Sequence, residues 1–281
     1  MTPSPIHPRL RRMWNSLTGN WMSMSDQTAF HVGTLGSVGH AVRSYRKETL
    51  RLIAHISLGT GALAVIGGTV VIVGFLTLTT GALIAVQGYN SLAGIGVEAL
   101  TGFTSAFLNV RLIAPATAGI GLAATIGAGS TAQLGAMRIN EEIDALEVMG
   151  IRSVAYLAST RVLAGVIVVI PLYCVAVLMS FLAARYGTTA VYGQSTGVYD
   201  HYFNTFLQPS SLFWSFLQAI VMAMVVMLIC TYYGFTASGG PAGVGEAVGR
   251  AVRASLIATA LVAMLLTLSI YGETGNFNLS G

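Results

Sequence analysis

Five long stretches of this chain contain no aspartate, glutamate, lysine, arginine or histidine: residues 58–86, 115–137, 162–184, 212–234 and 254–271. A run of roughly 20 mainly apolar residues is what an α-helix needs to cross the hydrocarbon core of a bilayer. In that solvent every backbone N–H and C=O must find its partner inside the protein, so such runs specify helices and exclude open strands. Charged residues make up only 9% of the 281 and hydrophobic ones 54%, which a soluble core explains poorly. The chain reads as an all-α membrane protein with five transmembrane helices.

Lysine and arginine beside spans are retained in the cytoplasm. The first 30 residues carry Arg9, Arg11 and Arg12 but lack the apolar core of a cleaved signal peptide, which predicts a cytoplasmic N-terminus. From that start, every basic residue but Arg111 and Arg185 falls on the cytoplasmic side, and the C-terminus is expected in the periplasm. Residues 1–25 read as a basic cytoplasmic tail and residues 58–281 as the five-span domain. Between them, over residues 26–57, Val38, Val42, Tyr45, Thr49, Leu52 and Ile56 recur at helical spacing, with Arg43, Arg46, Lys47 and Arg51 on the opposite side. An apolar stripe backed by a basic face predicts an amphipathic helix lying in the interface against anionic head groups. An ordinary surface helix packed on a cytosolic neighbour is the alternative.

Small residues crowd the spans. Gly119, Ala123 and Gly127 stand four apart, as do Gly121 and Thr125, and such faces let backbones approach within one bundle or against a second subunit. Pro171 is expected to kink the third span. Cys174 and Cys230 are isolated and mid-span, giving no support for a disulfide or a metal site, and read as core.

Several functional classes lose ground. Ion-driven carriers place ionisable groups inside the bundle, whereas Glu98 is the sole carboxylate between Glu48 and Glu141 and lies in an outer connection, where it either pairs with Arg111 or is simply solvated. A P-loop needs a lysine after its glycines, and the only lysine is Lys47. Gly243, Gly245 and Gly249 follow a membrane span rather than a strand, so they read as a short flexible link between spans four and five. Ser130 in "GAGS" is expected on the cytoplasmic half and His201 outside, so the two cannot form a nucleophile and base. No catalytic residue and no nucleic-acid partner is expected.

The residue cluster that the spans do not explain is "RINEEIDALEVMGIR", from Arg138 to Arg152. As a helix it puts Ile139, Ile143, Leu146 and Gly150 on one stripe, spreads Glu141, Asp144 and Glu147 over the opposite side with Glu142 flanking, and stops at Gly150. Acid facing the cytoplasm is repelled by anionic lipid. The economical reading is a short amphipathic helix with one face for the membrane domain and an acidic face for a protein partner; a merely solvated loop helix is the plain alternative.

These residues carry a resemblance. "GAGSTAQLGAMRINEEIDALEVMGI" resembles the signature of the MlaE/YrbE family, permease subunits of ABC transporters associated with MCE proteins; "LIAVQGY", Pro115 and "STRVLAGVIVVIPL" extend it over about residues 40 to 272. The "TYYGFTASGGPAGVG" link and the "YGETGNFNLSG" ending resemble the actinobacterial, mycobacterial-type YrbE-B branch. The resemblance implies a multi-pass subunit of the inner membrane that pairs with a second homologous permease. It implies a cytoplasmic ABC ATPase dimer that holds the ATP and magnesium, this chain binding no cofactor itself. It makes residues 138–150 the coupling helix, with Arg138, Glu141, Glu142, Asp144, Glu147 and Gly150 as contacts. It also implies MCE proteins on the periplasmic side, for which the segment containing Tyr186, Tyr192, Tyr199, Tyr202, Phe203, Phe206 and Trp214 is a docking candidate, a plain aromatic belt being equally consistent. The family's charged pattern is departed from at Leu112, Thr125 and Gln133, which suggests one half of a heterodimer.

The expected function is therefore that of a permease subunit moving hydrophobic lipid, of the fatty acid, phospholipid or sterol class, across the inner membrane with energy from a separate ATPase. A non-transporting membrane scaffold that anchors a cytosolic partner is the second reading and a secondary carrier the third.

Overall fold

The computed structural model describes residues 25–58 and 64–271, and among them no strand occurs. The expected tail over residues 1–25 falls almost wholly outside the described residues, as does the C-terminal ending. Residues 25–36 (α1), Val38–Ser44 (α2) and Arg46–Leu58 (α3) precede a long helix Ala64–Ala93 (α4). The second span is a continuous helical run of 42 residues, Glu98–Ile139. It comprises a short 3₁₀ turn, α5 (Thr101–Leu108), a π-helical turn Asn109–Ile113, α6 (Ala114–Leu122), a second π turn Ala123–Gly127 and α7 (Ala128–Ile139). Then follow α8 (Glu142–Val148), a π turn Val154–Ser159 leading into α9 (Thr160–Tyr186), α10 (Thr196–Phe206), α11 (Pro209–Phe235) and α12 (Gly240–Tyr271).

Five helical runs among the described residues are long and apolar enough to cross a membrane: Gly68–Ala93, Glu98–Ile139, Val154–Val191, Pro209–Phe235 and Gly240–Ile270. Helix α9 is central, packed on α4 and α11, while α12 leans on α11 and α7 and leaves most of its surface outward. Val73, Leu122, Val169, Leu172, Ala223 and Met227 interlock in the core. Phe75, Leu83, Leu178, Phe213, Ile257 and Leu265 point outward, as lipid-facing residues of a membrane bundle do.

The close approaches are made by glycine. A Cβ on Gly81 would lie 2.5 Å from the Ser180 carbonyl oxygen, on Gly127 2.7 Å from Cys230 Sγ, and on Gly234 2.8 Å from Leu134 Cβ. The Gly119, Ala123 and Gly127 series is thus spent inside the bundle, Gly119 facing Thr259 and Met222. Hydroxyls return hydrogen bonds to the backbone: Thr77 donates to the Val73 carbonyl (2.8 Å), and Thr131 to both Gly127 (2.9 Å) and Cys230 across the helix interface (3.0 Å).

Several expectations need correction. The helices overrun the uncharged windows because backbone hydrogen bonding does not stop where the first charged side chain appears. Glu98 and Arg111 are therefore residues of the second helical run rather than of an outer loop. At about 1.5 Å per residue their α-carbons stand about 20 Å apart, beyond the reach of an ion pair. The glycine-rich segment expected as a flexible link is helical from Gly240, with only Thr236–Gly239 as the turn. The single interfacial helix is broken at Ser37 and Tyr45. Of the expected stripe Thr49 and Leu52 are buried and Val38 and Tyr45 half-buried, whereas Val42 is 42% exposed and Ala41 is buried beside it. Cys174 is exposed on the bundle's outside, and only Cys230 is core.

Replacing Gly234 by Val forces a side chain into the Leu134 and Thr131 backbone contact and is expected to destabilise by about 1–3 kcal/mol. Gly129→Ala, which meets nothing within 4 Å, serves as the control and should leave the melting temperature of the detergent-solubilised protein unchanged or slightly raised.

Candidate functional site

The second span ends in a sharp corner. Arg138 and Ile139 close α7, Asn140 leaves the helix, and Glu141 adopts the left-handed conformation (φ +60°), the only described non-glycine residue to do so. For a residue with a Cβ that conformation is uncommon. It turns the chain into α8. The expected continuous helix over 138–150 is thus two pieces, Arg138 belonging to the span and α8 running Glu142–Val148. At its far end Gly150 takes φ +77°, its N–H bonding the Glu147 carbonyl (2.9 Å) while Ile151 N–H bonds Leu146 (3.0 Å). This is a Schellman cap, which a glycine forms without strain.

One face of α8 is anchored. Ile143 is fully buried with Leu134 and Leu157, and Leu146, Met137, Tyr156 and Phe235 close around them. The acids on the other face are individually held: Arg138 grips Asp144 at 2.6 Å, Asn140 reaches Glu142 at 3.5 Å, and Ser153 donates to Glu147. Glu141 is exposed at the corner. Beside them Val148 is 89% and Met149 66% exposed. The helical wheel assigns these two apolar residues to the acidic side, and sequence reasoning passed over them.

The same end of the bundle carries α1 to α3. Ser159 donates to the Thr34 carbonyl (2.8 Å), Phe30 packs on Tyr232 and Phe235, and Tyr45 meets Tyr156 edge-on at 5.0 Å. Burial beside Phe30 and Tyr232 pushes the His31 imidazole below its ordinary range. Arg43, Arg46, Lys47 and Arg51 are all exposed, and Arg51 makes a long 3.7 Å contact with Glu48. Arg152 reaches His40 Nε2 (3.4 Å). One residue here was not singled out from the sequence: Arg161, counted only among the cytoplasmic basic residues, is buried.

At the opposite end α5 and α10 pair as a plate. A Cβ on Gly102 would lie 2.5 Å from the Tyr199 carbonyl oxygen, and Tyr199 OH donates to Ser105 Oγ (2.9 Å), which also receives Asn109 Nδ2 (3.1 Å). Burial pushes the Tyr199 phenol up to about 12. Phe203 and Phe206 pack on Phe181 and Phe103, and Tyr192 stacks on Tyr89 at 4.3 Å. Much of the expected aromatic docking segment is therefore used internally, whereas Tyr186 is 75% exposed. The Arg111 guanidinium lies 4.2 Å from the centre of the Phe107 ring. Arg185 pairs with Asp200 at 2.7 Å.

Two apolar grooves open on the bundle's flank. One of about 500 Å³ lies between α4 and the second span, bounded by Leu83, Gln87, Leu92, Thr104 and Leu108. Another of about 520 Å³ lies between the second span and α12, bounded by Leu112, Ile120, Leu256, Thr259 and Met264. Pockets of this size and lining suit acyl chains. Among the described residues no cluster of three or more His, Cys, Asp or Glu is placed to hold a metal.

A family model described as Permease MlaE matches residues 59–269. Curated relatives include a "Probable ABC transporter permease protein" of Rickettsia bellii, 26% identical over 205 residues that cover 70% of this chain and 76% of the relative. Another is "Protein TRIGALACTOSYLDIACYLGLYCEROL 1, chloroplastic" of Arabidopsis thaliana, 27% identical over 198 residues covering 70% and 56%. A protein of Synechocystis sp., also described as a probable ABC transporter permease, is 25% identical over 166 residues covering 59% and 63%.

Ile143→Ala removes the anchor of α8 and should cost about 2–4 kcal/mol of local stability, read as faster amide hydrogen exchange over Glu142–Val148. Asp144→Ala breaks only an exposed pair and should leave that exchange nearly unchanged. Tyr199, whose phenol is raised in the fold, contributes stability that is present below pH 10 and lost as pH rises towards 12. Tyr199→Phe should abolish the alkaline loss in that window in a pH series of melting temperatures.

Proposed function

The chain belongs to the MlaE permease family, and from that premise we propose that it is the membrane-spanning permease subunit of an ABC transporter, moving hydrophobic lipid under the drive of a separate ATPase. The observation that carries the coupling mechanism is α8: a short helix locked to the bundle through Ile143 yet presenting Glu141, Glu142, Asp144 and Glu147 with exposed Val148 and Met149. Exposed apolar residues rimmed by charge mark protein contacts. Lipid head groups suit the acids poorly; a protein groove suits both.

In this reading the α8 end faces the cytoplasm, consistent with the basic residues gathered there and with only Arg111 and Arg185 towards the other end. The basic face of α2 and α3 meets anionic head groups, and the Tyr186 end receives the extracytoplasmic MCE partners. ATP hydrolysis favours one conformation of the ATPase over another, and α8 passes that difference to the spans. The chain's own part is mechanical and apolar. The two flank grooves support a lipid cargo, and so does the plant relative's name, which is that of a glycolipid with acyl chains. A second, homologous permease supplying the charges that Leu112, Thr125 and Gln133 lack completes the membrane pair against the outward face of α12.

Pull-down of the detergent-solubilised complex is the test. Glu141→Arg/Asp144→Arg/Glu147→Arg, and separately Val148→Asp/Met149→Asp, should each lose the ATPase while keeping the other membrane subunits. An ATPase that stays bound and stimulated in both variants would remove α8 from the mechanism.

A further inference from the structure

Among the described residues one charged side chain is more than nine-tenths buried: Arg161, 7% exposed, in the first turn of α9. Its Nη1 donates to the Leu157 carbonyl (3.1 Å), its Nη2 faces the Met137 sulfur at 3.9 Å, and its Nε meets no acceptor among the described residues. No described carboxylate lies within 4.0 Å of it. A thioether is a weak acceptor, so this guanidinium is desolvated with little in return. A buried charge in that condition is expensive and points to a partner engaged in another state.

The carboxylate whose field acts most strongly on Arg161 is Glu48, on α3, which packs along α9. Tyr45, one turn before Glu48, and Tyr156, just ahead of Arg161, touch each other, so the two charged residues rise from a shared contact. Among the described residues Glu48 is held by the 3.7 Å contact to Arg51, whose side chain is 81% exposed. An exposed pair of that kind is worth little, and Arg51 returns to water without loss. Met137, the other side of the present arrangement, lies one residue before Arg138, which grips Asp144 of α8.

We propose that Arg161 is a two-position switch: it rests on Leu157 and Met137 in the state described here and pairs with Glu48 in a second state of the transport cycle, tying α3 to the movement of α8. The π turn Val154–Ser159 immediately before α9 supplies the irregular backbone on which that part of the helix shifts. The switch rests on the proposed coupling role of α8. It adds that the interfacial helix is a working part rather than an anchor.

The test uses the assembled transporter in phosphatidylethanolamine–phosphatidylglycerol vesicles. Glu48→Gln should lower its ATPase turnover about tenfold, and the exchange Glu48→Arg/Arg161→Glu should recover most of the activity that Arg161→Glu alone loses. Wild-type turnover in Glu48→Gln, or an exchange no better than Arg161→Glu, would overturn the proposal. Glu48→Gln leaves the buried Arg161 in place and so tests the proposal even where Arg161 variants fail to assemble; a second measurement uses Glu48→Cys/Arg161→Cys in a Cys174→Ala background. Disulfide yield should change at least about fivefold between nucleotide-free protein and protein held with a non-hydrolysable ATP analogue; equal yields would overturn it. If the α8 variants release the ATPase while Glu48→Gln stays at wild-type turnover, only the switch fails. If the α8 variants keep the ATPase bound and stimulated, the coupling reading itself fails.

Discussion

The hydrocarbon core offers no hydrogen bonds, and the rest of the structure follows from that absence. Each backbone polar group inside the bundle must be satisfied by the chain, so helices are obligatory, and many hydroxyls turn back on the backbone. Thr77 and Thr231 each bond the carbonyl four residues earlier. Where the second span widens into a π turn at Asn109–Ile113, Ser215 of α11 donates to the Val110 carbonyl and Thr117 to that of Ile113. The irregular turns are therefore stitched to neighbouring groups rather than left open. Because helix association in lipid gains nothing from expelling water, packing must come from contact at short range. Gly81, Gly127 and Gly234 provide it where two backbones meet.

The same constraint sorts the charges. With no compensation available at mid-depth, ionisable groups gather at the two ends of the bundle, and the ends differ. The α8 end is rich in arginine, with a compact acidic helix set among the cations; the α10 end carries aromatic packing and the Arg185–Asp200 pair. An asymmetry of this kind makes the two ends of the bundle chemically distinct before any partner is considered. Arg161 is the exception at the border, and its buried position is what makes it informative.

Much of this was legible in the sequence because lipid reduces the problem to a single variable, the length of an uncharged run. All five spans overlap the windows read from residues 58–86 to 254–271. The boundaries were not legible, since a helix continues through Arg111 or Gly245 as readily as through leucine when its hydrogen bonds are intact. The one-sided burial of Ile143 and the stop at Gly150 followed from helical periodicity, and the structure places both there. The corner at Glu141 did not, because a left-handed glutamate has no sequence signature. Cys174, read as core, and the burial of Arg161, which was not anticipated, share a reason: in a membrane protein an apolar position is as often lipid-facing as core, and a charged one at a span's end is as often tucked in as solvated. Periodicity cannot distinguish these without the neighbouring helices.

On the coupling reading, the value of α8 lies in how little it can move alone. Ile143 is enclosed by residues of α7, the Val154–Ser159 turn and α11, so a push on the acidic face is delivered to three elements at once. The Schellman cap at Gly150 fixes the far end of the helix, which limits how much of a partner's stroke is absorbed by fraying there. Helix α7 in turn is wedged against α11 by Gly234 and against α12 by Gly135, whose absent side chain admits Val244. The irregular backbone lies not at the contact but further along the second span, at Ala123–Gly127 and Asn109–Ile113, where the helical register is widened. Both apolar grooves border that stretch, through Ile113 on one side and Leu112, Ala116 and Ile120 on the other. A stiff input at α8 and an irregular segment between two lipid-sized grooves is the division of labour that this reading assigns to the chain.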